Sequence, residues 1–232
     1  MILNHYRGAG KFLRSGLPNV TDGLVSWWKF DEGSGSTAAD SAGSNDGTLV
    51  GNPDWVAGKI NGALVFYGSG DCVEITEDSG LTFFDEVTIS AWINLASPLK
   101  LGYVFARNVD GSGTPELAML IRTDTGARAF AFYLSTQLSD LGPSGFNWSN
   151  YIDEWAHVAM TWDGTTIRAY INAEDTGVTG SYTVSVDTTI GNNIRIGARH
   201  DAAFFRGKID DVRIYNRGLS AEEITTLYNW RP

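Results

Sequence analysis

The feature that most restricts what this chain can fold into is a succession of short strand-forming segments that starts at Leu24 and runs almost to the C-terminus. Segments rich in Val, Ile, Phe, Trp and Thr alternate with clusters of Gly, Asn, Asp and Ser, the pattern of antiparallel strands joined by tight turns. Gly is frequent, with 27 residues, and Pro scarce, with 6. Turns are therefore easy to make while most backbone groups stay free to join ladders. About a dozen strands are expected.

The clearest is Val87 to Asn94. Val87, Ile89, Ala91 and Ile93 alternate with Thr88, Ser90, Trp92 and Asn94, giving one aliphatic face and one polar face with a single aromatic. From Trp155 to Trp162, Ala156, Val158, Met160 and Trp162 share a face. The turn Trp162-Asp163-Gly164-Thr165 then leads into Ile167 to Asn172, which predicts an antiparallel hairpin. One helix is expected, at the C-terminus. Ser220 and Glu223 have capping-box spacing, and Ile224, Leu227 and Tyr228 fall on one face over about three turns.

No linker or repeat divides the chain, so it reads as one domain over residues 23–232, preceded by an arm over residues 1–22. The arm carries His5, Arg7, Lys11 and Arg14 with no acid before Asp22. It either docks on a larger assembly or an anionic surface, or is a leader or an added edge strand. The net charge of −10 argues against a nucleic-acid partner. No apolar run is long enough for a membrane-spanning helix, so no membrane insertion is expected, and the first residues lack the apolar stretch of a signal peptide. Cys72 is the sole cysteine, which excludes an internal disulfide and a thiolate zinc cluster. It reads as a small core filler.

Several stretches together carry a family resemblance. They are Trp28-Lys29-Phe30-Asp31-Glu32-Gly33 with Asp40 to Gly47, then Gly62-Ala63-Leu64-Val65-Phe66, and finally Gly207 to Arg217. Thr88 to Ile93, Trp155 to Ala159 and Leu219 to Ile224 fit between and after them. In order and spacing, over about residues 24 to 229, the chain resembles the laminin G-like domains of the concanavalin A-like lectin/glucanase superfamily. The resemblance implies an all-β jelly-roll sandwich of two antiparallel sheets with a short C-terminal helix. It does not name a ligand, because this sandwich carries lectins, adhesion modules and hydrolases alike.

In the last strand, side-chain alternation puts Asp210 on the face of Val212 and Ile214. If those two face the core, so does the carboxylate, and an inward carboxylate is costly without a cation, an arginine or several donors. The resemblance implies a structural calcium ion held by the side chains of Asp31 and Asp210, with carbonyl oxygens near Gly33 and Gly68 and a contribution from Asp40. The competing reading pairs Asp210 with an arginine and makes Asp31 and Asp40 ordinary turn residues.

Catalysis is not expected. The alternating acidic strand of the β-glucan hydrolases is missing, and Glu74-Ile75-Thr76-Glu77-Asp78 has the wrong order. His200 lies beside Asp201, but no Gly-x-Ser-x-Gly elbow accompanies them, and His157 sits in a strand. Two loops mix aromatics with polar groups as sugar sites do. One holds Phe146, Asn147, Trp148, Asn150 and Tyr151; the other holds Arg199, His200, Asp201, Phe204, Phe205 and Arg206. Of these, Trp148, Tyr151, His200, Asp201, Phe204 and Arg206 are the candidate ligand contacts, and the alternative is that the aromatics close over the core. The chain is thus expected to be a carbohydrate-binding or adhesive module at a cell or virion surface, its partner a polysaccharide or glycoconjugate. A structural component of a virion and a divergent hydrolase or lyase are the other classes.

Overall fold

The computed structural model describes residues 19–76, 81, 85–97, 101–108, 115–122, 130–134, 137–142, 146–181, 194–199 and 203–231. In chain order the strands are β1 (Leu24–Trp28), β2 (Thr37–Ala38), β3 (Gly47–Val50), β4 (Asp54–Ala57), β5 (Gly62–Tyr67), β6 (Cys72–Ile75), β7 (Val87–Leu95) and β8 (Leu101–Asn108). They continue with β9 (Pro115–Arg122), β10 (Phe130–Leu134), β11 (Gln137–Asp140), β12 (Trp155–Trp162), β13 (Thr166–Ile171), β14 (Glu174–Ser181), β15 (Ile194–Ile196) and β16 (Arg206–Tyr215). A 3-10 turn covers Trp148–Tyr151, and the helix α1 covers Ala221–Tyr228.

These form two antiparallel sheets. The first has the order β14-β13-β12-β7-β16-β5-β4, with β1 also paired to β16, and the second the order β11-β10-β9-β8-β15-β6-β3-β2. The interior between them is filled by the residues whose alternation marks an inward face. Val87, Ile89, Ala91 and Ile93 of β7 meet Val158 and Met160 of β12 there, with Phe105, Met119 and Phe132 from the second sheet. The all-β sandwich with one short C-terminal helix is thus the observed fold.

The expected hairpin is β12–β13, in register from Val158↔Ile171 to Trp162↔Ile167. Asp163 builds its turn: Oδ1 accepts from Thr165 N, Thr165 Oγ1 and Thr166 N at 2.7 to 3.0 Å. The Thr166 bond leads in holding that carboxyl below its usual range. Helix α1 has the expected capping box, with Glu223 N donating to Ser220 Oγ at 3.3 Å and Ser220 N donating to Glu223 Oε2 at 2.9 Å. It is shorter than expected, eight residues and about two turns. Ser220→Ala should lower stability by about 1 kcal/mol and the melting temperature by about 2–4 °C, read by thermal denaturation.

The helix lies on the outer face of the first sheet. There Ile224 and Leu227 bury Ala159, Tyr170 and Tyr215, and Tyr228 stacks on Trp92 with centroids 5.4 Å apart. This explains why β7, polar on one side, is buried on both. His157 is enclosed in the same layer. Burial first, then the charge of Arg213, hold its imidazole down to about 3, so it is neutral at ordinary pH. Cys72 is buried in β6. Residues 1–18 of the arm lie outside the described residues. Val20 belongs to the folded body, buried against the helix layer, with its carbonyl accepting from Tyr215 Oη at 3.0 Å.

Candidate functional site

Beside the helix, where β1, β5 and β16 converge, the first sheet carries a pocket of about 120 Å³. Asp31, Asn61, Asp210 and Asp211 line it with Trp27, Lys29, Ile60 and Trp230. Its form follows from an irregularity in β16. The pairing with β7 runs Ile209↔Ile93 and Asp210↔Trp92, then shifts before Arg213↔Ser90 and Ile214↔Ile89. At the shift Asp211 adopts φ 52°, the left-handed region. A bulge of this kind sets two residues against one and breaks the alternation of faces. Val212 and Ile214 face the interior as expected. Asp210 does not join them, because the register puts it opposite Trp92, on the face that carries the helix. The expectation that all three share a face is corrected by the bulge.

Asp210 is nevertheless fully buried, 0% exposed. Its Oδ2 accepts from Ile60 N at 2.8 Å, whereas Oδ1 has no hydrogen-bond partner among the described residues. Burial, reinforced by the charges of Asp211 and Asp31, pushes this carboxyl up to about 8. Asp31 is exposed at the pocket rim, where Oδ1 accepts from Gly62 N at 2.9 Å and Oδ2 from Asn61 Nδ2 at 3.3 Å. The two aspartates reach one pocket because the turn between β4 and β5 is pressed against both. A Cβ on Gly58 would stand 2.7 Å from Asp210 Oδ2, and one on Gly62 would stand 2.3 Å from the Phe30 carbonyl oxygen. Only glycine permits that approach.

Asp211 is committed elsewhere. Its Oδ1 accepts from Trp27 Nε1 at 2.6 Å and from Arg213 at 3.1 and 3.2 Å. Arg213 in turn lies over Trp27 and Trp230, 4.3 and 5.1 Å from their centroids. Among the described residues no three His, Cys, Asp or Glu side chains are grouped so as to hold a metal ion.

The remaining expected residues fall as follows. Gly33 is in the exposed loop just after Asp31, but Gly68 is at the far end of β5 from Gly62, where it packs against the Arg206 side chain. The structure does not bring Gly68 to this pocket. Asp40 is turned away too, as a turn-building acceptor: Oδ1 takes Trp27 N, Ala42 N and Gly43 N, and Oδ2 takes Asn45 N and Nδ2. Trp148 is 1% exposed and forms the interior's end with Phe130, Phe146 and the partly buried Tyr151. The Trp148 ring therefore closes over the core, while Tyr151 is partly buried and Asn147 and Asn150 are exposed. Phe205 is buried edge-on to Phe66, Phe204 is half-buried and Arg206 exposed. His200, Asp201, Glu77 and Asp78 lie outside the described residues.

Two features escaped the sequence reading. Trp230 returns to Trp27 from beyond the helix, edge-on at 6.2 Å, a contact with no local signal. Tyr67 is 54% exposed at the end of β5; alternation with the inward Phe66 would have placed it outside.

The fold is one shared with known structures. Domain 4 of an extracellular arabinanase from Geobacillus stearothermophilus, solved in complex with arabinotriose, superposes with a TM-score of 0.70 at 22% identity, covering 88% of this chain and 98% of that one. The receptor binding domain of botulinum neurotoxin C/D mosaic serotype gives 0.68 at 17%, over 90% of this chain and 52% of that one. A Trypanosoma rangeli sialidase in complex with sialic acid gives 0.67 at 19%, over 91% of this chain and only 33% of that one. No curated protein sequence matches the chain. Residues 67–225, more than half of the chain, match a laminin G family model. With two antiparallel sheets in the same arrangement, the chain belongs to the concanavalin A-like lectin/glucanases superfamily.

Proposed function

We propose that this chain is a non-catalytic carbohydrate-binding module, acting outside the cell or on a cell or virion surface, with a calcium ion seated between its terminal strands. The observation that carries the carbohydrate reading is the near end-to-end correspondence with a single arabinanase domain solved with arabinotriose. A domain of that size, matched over 98% of its length, supports comparison of the unit as a whole.

The cation reading is supported by the chemistry of the donors. Oδ1 of Asp210 is buried without a hydrogen-bond partner among the described residues and shares its pocket with the Asp31 carboxylate. A bound Ca²⁺ supplies the positive charge such a pair lacks and accepts about six to eight oxygen ligands. Asp210, through Oδ1, and Asp31 would hold it, with main-chain oxygens of the adjoining turns, Gly33 among them. Asp211 would hold Arg213 and Trp27 in place, and the Gly58–Gly62 turn would keep the two carboxylates together. The ion's role is to tie the N-terminal loop to the last strand.

A glycan array in the presence of calcium, repeated with a chelator, tests the function. Binding to at least one polysaccharide class is expected, with no release of reducing sugar from it. Absence of binding to every glycan in both conditions would overturn the reading, as would sustained reducing-sugar release.

A further inference from the structure

The pocket shared by Asp31 and Asp210 is larger than one ion requires. It measures about 120 Å³, and a single water needs about 10–15 Å³ of such space. The protein oxygens available there are few. Asp210 offers the buried Oδ1, its Oδ2 being engaged by Ile60 N. Asp31 offers a carboxylate that already accepts from Gly62 N and Asn61 Nδ2. Asp211 is held by Trp27 and Arg213, and no third His, Cys, Asp or Glu among the described residues is grouped with the pair to complete a shell. With one oxygen from each carboxylate and one or two from the adjoining main chain, about three of the six to eight positions that Ca²⁺ takes are left for other oxygens.

The same pocket has aromatic walls. Trp27 and Trp230 both line it, each partly buried, edge-on to one another with centroids 6.2 Å apart. The rings are held in place: Trp27 Nε1 donates to Asp211 Oδ1 at 2.6 Å, and the buried Arg213 lies against both. Lys29 Nζ stands 4.2 Å from the Trp27 centroid and makes no ion pair with a described residue. A cage built only for an ion is lined by oxygens, and indole rings supply none. Apolar ring surface beside a buried carboxylate oxygen, an ammonium and the Asn61 amide is instead the mixture of groups that a sugar requires.

We propose that Asp31 and Asp210 leave part of the ion's coordination open into this pocket, and that two adjacent hydroxyls of a saccharide fill it, with the indoles of Trp27 and Trp230 against the apolar face of the ring. This rests on the reading of the chain as a calcium-holding carbohydrate-binding module and gives that module its ligand subsite. Lys29 and Asn61 serve the remaining hydroxyls of the same sugar residue. The pocket admits the hydroxyl-bearing edge of one sugar residue, whereas a stable protein interface needs hundreds of Å² of contact.

Terbium in place of calcium tests the subsite, because Trp27 and Trp230 are placed to sensitise its luminescence, and lifetimes in water and heavy water count the waters bound to it. The full chain is loaded with terbium, excited at its tryptophans and titrated with arabinotriose, mannobiose and galactobiose. Expected are about three bound waters without sugar and a fall of about two with at least one of the three sugars. Calorimetry with calcium should show that sugar's affinity falling about tenfold or more on chelation. Trp230→Ala, first shown to keep the calcium response of the melting temperature, should hold the ion and lose about tenfold in sugar affinity; Asp210→Asn should lose both. Fewer than one bound water in the sugar-free protein would overturn the subsite, since the protein then fills the shell itself. So would a water count that none of the three sugars lowers, or sugar binding indifferent to chelation, and either would leave a carbohydrate-binding module whose site is elsewhere. Absence of sensitised emission together with an unchanged melting temperature would remove the calcium reading, and failure of every glycan on the array the carbohydrate reading.

Discussion

Calcium added to chelator-stripped protein should raise the melting temperature by about 5–10 °C, and Asp210→Asn should abolish the rise. The magnitude follows from mass action: an ion at a hundred times its dissociation constant stabilises the folded state by about 2.7 kcal/mol, and in a domain of this size each kcal/mol is about 2–4 °C. The substitution is chosen for its opposite effects in the two conditions. In the stripped protein, Asp210 is a buried carboxyl whose Oδ1 has no partner among the described residues, pushed up to about 8 by burial. An amide of the same shape removes the cost of ionising it, so Asp210→Asn with chelator should melt no lower than wild type. With calcium it should melt lower, because it loses the charge that holds the ion. Scanning calorimetry of both proteins with chelator and with millimolar calcium checks this. An unchanged wild-type melting temperature would end the calcium proposal without touching the fold.

Asp40→Ala should cost roughly 3–5 kcal/mol, on the order of 10 °C, whether or not calcium is present. Its carboxylate gathers the main-chain donors of Trp27, Ala42, Gly43 and Asn45 and one side-chain donor. Truncation would leave those donors without their acceptor beside the buried Asn45 and Trp28. The effect should also depend on pH. Burial alone would raise the Asp40 carboxyl, but the bonds from Trp27, Gly43 and Ala42 prevail and hold it below the ordinary 3.8. A depressed folded value means that the stabilisation is present in full above the unfolded value and fades as pH falls through the folded one. Wild type should therefore lose stability below about pH 4, and Asp40→Ala should lose less over the same interval. Urea titrations between about pH 2.5 and 7 measure both slopes. Parallel acid limbs would show that Asp40 contributes through shape and not through its charge.

The contrast between Asp40 and Asp210 shows where the sequence stops being informative. Both are aspartates in stretches that resemble the family's. Local spacing suits Asp40 to turn building, since four of its five donors come from residues within five positions. Asp210's surroundings come instead from Ile60, 150 positions away. Side-chain alternation was a sound guide in β7 and β12, which pair without a break in register, and it misplaced Asp210 because one bulged residue inverts a face. The aromatic loop at Trp148 illustrates a different limit: its composition suits a sugar or a core equally, and only packing against Phe130 decides.

The sequence by itself determined that strands alternate with turns, which faces of β7 and β12 are apolar, that β12 and β13 form a hairpin, and that Ser220 and Glu223 start a helix. These are properties of neighbours along the chain, where a period of two or a side chain reaching three positions settles the outcome. The tertiary structure alone decided that Asp31 and Asp210 share a pocket without Gly68 or Asp40, and that Trp230 returns to Trp27. Each depends on which distant strands pair and in what register. That is chosen by the burial of the whole interior, a sum over residues that no local window contains.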